Sequence, residues 1–480
     1  MFGLFLQLFL GALSLVLAAG VGTSVAAYIA RTLALARLTP RRALAKIAGS
    51  CTFSQGLSMP SSGSPAPTLG AGPVHGTIPG SSIIQPPGVT TNVDGDVVLL
   101  AHGDITIGGA FQAILGISSM TMISLRGNIR ITPGGKVRGG KIASGPATRG
   151  ALFRLAAAGP GQPGGVIRLL APRGSIDVEG RVEGQDGGDG GKADDDGFSV
   201  IPLPTGAAGG QSGAGGEVWL CALESIHIGI NGVVRGGEAG KGGAARAKSM
   251  RLGDSLAVHG PGNSGGDVHL NGPNPSALTQ VFFEQGGVVE GGHGAGRSRR
   301  PAAAIAGNGL RSNGRYANAI GGNGGDGGTV LFSGCVVNGP FTVRPGMGGD
   351  GAWAVATGGF GDDAILLSGF AGGGANAVGG DGGAPGAPVA VPTAAGTTVP
   401  GQPPVPGPGH TSTGGSATVI TGGGGSGGLA GNGGPSGTGT AQGGRGGISK
   451  TLSAPVRVAP VAATGTPGAL RGSGTSIGVP

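Results

Sequence analysis

Charged and aromatic residues are scarce in this chain of 480 residues. Charged side chains make up 11% of the sequence and aromatic ones 4%, with only two tryptophans and two tyrosines. The low charge excludes the highly charged type of disordered chain. With few aromatic rings available, any core has to be built from Val, Ile, Leu and Ala, which suit thin stacked layers better than one large globular centre.

Cysteine and the usual catalytic motifs are also sparse. Cys51, Cys221 and Cys335 lie far apart, without CxxC or Cys/His spacing, so neither a disulfide framework nor a zinc site is indicated. The sequence contains no GxSxG, HExxH or Walker loop. We therefore expect no cofactor and find no coherent catalytic set.

Glycine and positive charge are abundant. The chain has 114 glycines, 34 prolines and a formal net charge of +8. This charge favours acidic partners, and we expect an anionic polysaccharide or the cell-envelope surface. Dense basic runs occur only at 31–46 and at Arg297–Arg300, and neither is interleaved with aromatic residues. That pattern argues against a nucleic-acid partner.

The N-terminal segment predicts a hydrophobic helix directed to a membrane. Residues 2–30 carry no charge and are long enough to span a bilayer. A cleaved signal peptide would lack the usual basic residues before its apolar run. An uncleaved anchor would place the basic residues 31–46 in the cytoplasm, and the rest of the chain with them. Both readings stay open, and we expect a secreted or cell-surface protein.

A repeat of about fifty residues follows. Its markers are the glycines before a strand-like phrase, with intervals of 51, 50 and 62 residues: Gly165, Gly216, Gly266 and Gly328. Within "SIDVEGRVEG", Ile176, Val178 and Val182 alternate with polar residues, as in a half-buried strand. Such short strands need stacking on like strands to bury their apolar side chains.

The pattern predicts an all-β chain, namely a β-solenoid of the parallel β-helix type over residues 92–345. Each unit would supply three short strands and then a flexible glycine-rich loop, although polyglycine II packing of these loops is also compatible with the sequence. Residues 31–91 are interpreted as a basic and then Ser/Pro/Gly-rich linker. Residues 346–480 are interpreted as a Gly/Pro-rich tail with room for further irregular coils.

The phrase "GGxVxLxAxxSIxIxGxVxGxGGxGG" resembles the glycine-rich β-helical regions of bacterial surface and secreted proteins. The stretch "GGGGSGGLAGNGGPSGTGTAQGGRGG" is similar in texture to the glycine-rich domains of the mycobacterial PE-PGRS family. The N-terminal helical domain of that family is not apparent here. The resemblance implies a surface-exposed protein without enzymatic activity.

Two acidic features are candidate sites. In the aligned strands, Asp177 and His227 occupy equivalent outward positions with Thr106 and Arg130, so Asp177 and His227 could serve as an acid/base pair or be two solvated side chains. The "DDD" run could bind a divalent cation through oxygen or be a soluble loop; it comprises Asp194, Asp195 and Asp196.

The sequence therefore favours a structural or adhesive repeat protein at the cell surface, without catalytic activity. The glycine-rich loops would form its variable contact surface. The alternative is a β-helix enzyme that cleaves polysaccharide, a lyase or glycoside hydrolase. The scarcity of Trp and Tyr for sugar stacking weighs against that alternative.

Overall fold

The computed structural model describes the chain from residue 61 onward, with gaps. The described residues are 61–116, 118–140, 142–150, 156–197, 204–249, 253–272, 279–296, 301–307, 314–339, 342–362, 370–386, 388–391, 412–413, 416–421, 435–445 and 470–472. The predicted membrane segment 2–30 and the basic runs 31–46 and Arg297–Arg300 lie outside them. Within these residues all regular structure is β-strand, and none of them forms a helix that could span a membrane.

The first strands form the entry to the repeats. They are β1 Gly72–Gly80, β2 Ile83–Gln85, β3 Thr90–Ala101, β4 Ile105–Ile107 and β5 Ala110–Leu115. The 12-residue β3 is long enough to pair with β5 through its first half and with β6 (Met120–Ser124) through its second half. This strand therefore joins two rows of later strands into one sheet.

Five layers of five strands each follow. The first two are β6 with β7 Ile129–Ile131, β8 Lys136–Arg138, β9 Thr148–Arg149 and β10 Ala156–Ala157, then β11 Ile167–Ala171, β12 Ile176–Val178, β13 Arg181–Glu183, β14 Ala193–Gly197 and β15 Thr205–Ala208. The third is β16 Val218–Ala222, β17 Ser225–Ile228, β18 Val233–Arg235, β19 Ala245–Ser249 and β20 Ser255–Val258.

The remaining strands continue the same order. They are β21 Val268–Asn271, β22 Thr279–Phe283, β23 Val288–Glu290, β24 Ala302–Ile305 and β25 Ala317–Ile320, then β26 Val330–Ser333, β27 Cys335–Asn338, β28 Thr342–Arg344, β29 Ala354–Thr357 and β30 Ala375–Val378. Beyond these, β31 Pro388–Val391, β32 Ala417–Ile420 and β33 Gly439–Gln442 form an incomplete layer, and β34 Leu470–Gly472, which pairs with β32, belongs to a further one.

Equivalent strands of successive layers pair side by side, in parallel. The forked sheet has arm 1, β6-β11-β16-β21-β26-β31, and arm 2, β5-β8-β13-β18-β23-β28, joined through β3. The isoleucine sheet is β2-β4-β7-β12-β17-β22-β27. Alanine sheet 1 is β9-β14-β19-β24-β29-β32-β34, and alanine sheet 2 is β10-β15-β20-β25-β30-β33. The prediction of an all-β chain is confirmed for the described residues.

The two arms and the isoleucine sheet enclose an aliphatic core. Ile176 pairs with Ile226, and Val178 pairs with Ile228; all four are fully buried. Their position confirms the predicted inward register, because alternate residues of a strand point to opposite faces. At about 25 cal/mol per Å² of buried apolar area, this ladder is a major source of stability.

The alanine sheets enclose a second, thinner core that the sequence pattern did not predict. Its buried side chains are almost all alanine, including Ala245, Ala302 and Ala354. Each complete layer therefore contains five strands, not three strands and a loop. The methyl side chains of alanine allow the two sheets to approach closely, but their weak hydrophobic signal in the sequence resembles that of a loop.

The glycine-rich segments between the cores are ordered, which corrects the expectation of flexible loops. In the segment after β13, the N–H groups of Gly187 and Gly190 donate to Glu238 O and Lys241 O of the next layer, both at 2.8 Å. The hydrogen bonds recur every third residue. This period is that of a polyproline II-type helix, which has no internal hydrogen bonds and must find partners in neighbouring segments.

The strands also extend beyond the predicted boundaries. The stretch interpreted as a linker, 31–91, contains β1 and β2, and the stretch interpreted as a tail contains β29 to β34. In β1 the Pro73 and Pro79 residues and a register shift between Val74 and Gly76 mark an outer strand, since proline cannot donate a ladder hydrogen bond. A strand such as β1, with two prolines and three glycines among its nine residues, is easily mistaken for a linker.

Candidate functional site

The predicted acid/base pair lies on adjacent strands of the isoleucine sheet. Asp177 on β12 pairs in register with His227 on β17, and Asp177 Oδ1 lies 3.9 Å from His227 Nδ1. The imidazole also lies 3.2 Å from Glu284, measured from Nε2 to Oε1. The histidine is therefore held between two carboxylates, one on each side.

The surroundings of this pair are open and polar. The side chains of His227 and Asp177 are 29% and 36% exposed. Partial burial raises the pKa of the Asp177 carboxyl, while His227 and Arg130 act to lower it. Arg130 is itself engaged with Glu179, at 3.0 Å. Groups on an open sheet face can exchange protons with water.

The three aspartates of the "DDD" run do not face the same side. They lie on β14, and alternation along the strand places Asp194 and Asp196 on the outer face and Asp195 on the inner one. Asp195 accepts a hydrogen bond from Gly206 N–H at 2.8 Å, and burial raises the pKa of its carboxyl. Asp196 lies 3.7 Å from Arg246. A cation could not be bound by all three carboxylates at once.

The other acidic residues of this region are engaged by neighbouring layers. Glu183 contacts Arg138 at 3.1 Å. Asp186 accepts the N–H of Glu238, and Asp189 accepts the N–H of Lys241. The dense acidic stretch in the sequence is thus matched by basic side chains and backbone donors above and below it. Within the described residues no three His, Cys, Asp or Glu side chains form a metal-binding group.

Asp186 and Asp189 belong to a set of aspartates that make the same kind of hydrogen bond between layers, which the sequence did not reveal. In each case a carboxylate oxygen accepts a backbone N–H from the next layer or turn of the chain, 23 to 64 residues further on. The other members are Asp96, Asp104, Asp254, Asp267, Asp326, Asp350 and Asp381. These aspartates satisfy donors between layers, which is a structural role.

Arm 2 carries a second periodic feature, an ion ladder of alternating sign. One outward position on successive strands is occupied by Arg138, Glu183, Arg235, Glu290 and Arg344. Arg235 lies 3.6 Å from Glu290 and 2.8 Å from Glu238. Opposite charges on neighbouring strands favour the observed pairing. If a strand skipped one layer and paired with the layer after next, like charges would lie side by side.

Alanine sheet 1 carries a surface pit of about 140 Å³ on its outer face. Ala244, Pro301 and Ala303 form its apolar lining, and Lys192 and Arg246 are among its charged residues. The residues come from three successive layers, so no local sequence pattern could have identified the pit.

The Cys335 side chain lies in the aliphatic core. Cys335 is free and buried, and burial raises the pKa of its thiol to about 12. Such a thiol stays protonated and is a poor nucleophile.

Comparison with known proteins gave no match among family models, curated proteins or solved structures. The site must therefore be judged on its geometry.

That geometry distinguishes two kinds of surface. The candidate residues Asp177, His227, Asp195 and Asp196 are engaged in contacts within or between layers. The pit on alanine sheet 1, in contrast, is a recess lined by residues from separate layers.

Proposed function

We propose that the chain is a β-solenoid of the parallel β-helix type that acts as a structural and adhesive protein, secreted or at the cell surface, without catalytic activity. The observation that supports this best is the uniform register of five successive layers, in which outward side chains vary while inward ones repeat. A surface of this kind can change its contacts without disturbing the core, since each layer touches only its neighbours.

The ordered glycine segments give the proposal its physical basis. Because their backbone donors and acceptors are engaged between layers, the protein would lose little conformational entropy when it binds a surface. Contact would therefore depend on the outer faces of the sheets, and many weak contacts along the stack would add up.

The partner that we propose is an anionic polysaccharide of the cell envelope. The net charge of +8 supports it, as does the apolar segment 2–30, which favours export through or anchoring in a membrane. Attraction of this kind weakens as salt screens the charges.

The test is a binding measurement with the full chain and an immobilised anionic polysaccharide. We expect binding at low ionic strength, loss of most binding near roughly half-molar salt, and no release of reducing sugar. Absence of binding to every anionic surface tested would contradict the adhesive role.

A second candidate function rests on the 3.9 Å contact between Asp177 and His227. A carboxylate and an imidazole at this separation could act as an acid/base pair in polysaccharide cleavage. Assays with Asp177→Asn and His227→Gln discriminate the two functions. Cleavage that disappears in both variants would support the enzyme.

A further inference from the structure

The pit on alanine sheet 1 lies where the outer face changes from charged to uncharged. On its charged side are β14 and β19, whose outward residues include Asp194 and Arg246. On its other side are Pro301, which immediately precedes β24, and Ala303 on β24. The side chain of Ala244 is too small to fill the space between Lys192 and Pro301, and this leaves the recess.

The charges around the pit favour an anion. Lys192 is exposed and forms no ion pair within the part of the chain that the structure describes. Asp194 lies in register between Arg149 and Arg246, and Arg246 also contacts Asp196 at 3.7 Å. Each of these two carboxylates therefore has a basic neighbour, whereas the ammonium group of Lys192 is available for a ligand.

An aromatic side chain lies one strand beyond the pit. Trp353 immediately precedes β29, and its carbonyl accepts the N–H of Ala302 on β24 at 2.9 Å. Since Ala354 is buried, alternation places Trp353 on the outer face, where it is 38% exposed. Strands of a sheet are about 4.8 Å apart, so Trp353 lies within two strand spacings of the layer that forms the floor of the pit.

The strands next to Trp353 carry no charged residue on their outer face. The outward residues on β24, β29 and β32 are Ala303, Ile305, Val355, Thr357, Thr418 and Ile420. Small and β-branched side chains occupy three parallel rows beside the indole ring of Trp353, which is 38% exposed. This surface offers an aromatic platform, a recess and a cation in one line across the strands.

We propose that this line, from Trp353 across the pit to Lys192, binds a carboxylate-bearing polysaccharide chain of the uronate type. A sugar ring has an apolar face that can stack on indole and hydroxyl groups at its edge that can form hydrogen bonds. A uronate adds a carboxylate for which Lys192 is the matching group. The inference rests on the proposed adhesive function and assigns its contact site.

The two tryptophans make the site accessible to a direct measurement. Trp219 is fully buried, and its ring stacks on His269 with 3.5 Å between centroids. Quenching of the protein fluorescence by acrylamide therefore reports mainly Trp353. We expect polygalacturonate to protect the full chain from quenching, and its fully methyl-esterified form to protect it less, because the ester removes the charge.

Four variants test the assignment through binding of polygalacturonate to the full chain. We expect Trp353→Ala to weaken binding roughly threefold to tenfold, and Lys192→Gln roughly twofold to fivefold. The matched controls are Phe282→Ala, which removes an aromatic side chain 43% exposed on the isoleucine sheet, and Lys136→Gln, which removes an exposed lysine of arm 2. Both controls should bind like the unmodified chain.

The outcomes distinguish a failure of the proposed site from a failure of the proposed function. If the chain binds polygalacturonate and the two site variants bind no more weakly than the controls, the site is wrong while the adhesive function stands. If the chain binds no anionic polysaccharide, the proposed function fails. Tighter binding of single-stranded DNA than of polygalacturonate, with the same dependence on Trp353, would overturn the saccharide assignment.

Discussion

Replacement of a single glycine in the glycine-rich segments should test whether these segments are packed. In Gly237→Ala, the added Cβ would overlap with the carbonyl oxygen of Gln185 and lie 2.7 Å from Gly216 N. All of these atoms belong to backbone, which cannot rotate away as a side chain does. The segment would have to shift, and its hydrogen bonds between layers would lengthen or break.

The magnitude follows from those contacts. Gly237 N–H donates to Gly216 O at 2.9 Å, and Gly237 O accepts from Gly266 N–H at 2.8 Å. Two lost hydrogen bonds cost about 1 kcal/mol each, and overpacking adds about 1–3 kcal/mol. Alanine also lowers the conformational entropy of the unfolded chain, and this offsets about 0.4–1 kcal/mol of the destabilisation. We expect a net destabilisation of about 2–5 kcal/mol.

Gly296→Ala is the matched control. An added Cβ at Gly296 would have no atom within 4 Å, so this variant should be unchanged or more stable by about 0.4–1 kcal/mol. The assay is urea denaturation followed by far-ultraviolet circular dichroism. Because a layered protein can unfold in parts, the urea midpoints of the two variants are compared at one wavelength. Equal midpoints for Gly237→Ala and Gly296→Ala would refute the packed arrangement.

Three further predictions concern single side chains. Ile226→Asp should cost about 3 kcal/mol or more in urea denaturation, because it buries an unpaired charge, whereas His227→Ala should cost less than about 1 kcal/mol; similar costs would contradict the register. Burial lowers the pKa of His259, so below about pH 6.5 the unfolded chain binds more protons and the free energy of unfolding falls; His259→Gln should remove this part of the pH dependence. Cys335 should react with iodoacetamide only in denaturant, as mass spectrometry of its peptide would reveal, because its thiol is buried with a pKa near 12.

The aliphatic half of each layer could be read from the sequence. Alternation in "SIDVEG" predicted that Ile176 and Val178 face inward, and the repeat predicted their pairing with Ile226 and Ile228, which the register confirms. The position of Asp177 opposite His227 followed from the same alignment. These features are local or repeat at a constant interval, so the pattern of apolar side chains predicts them.

Other features became visible only in the tertiary structure. The acidic stretch from Glu179 to Asp196 suggested a cation site or a soluble loop, but its carboxylates are matched by groups about fifty residues away, such as Arg138 and Arg246. Contacts between layers have no local signature, because either residue taken alone is an ordinary surface charge.

The sequence by itself determined the repeat, the strand register of the aliphatic core and the scarcity of catalytic motifs. Only the tertiary structure decided that the glycine-rich segments are ordered, that two alanine sheets form and that a pit lies near Lys192. The physical reason is that glycine and alanine carry little side-chain information about which face is buried. Their role depends on how closely backbones approach, as the overlap of a Cβ at Gly237 with the carbonyl oxygen of Gln185 illustrates, and that approach is set by layers far apart in the chain.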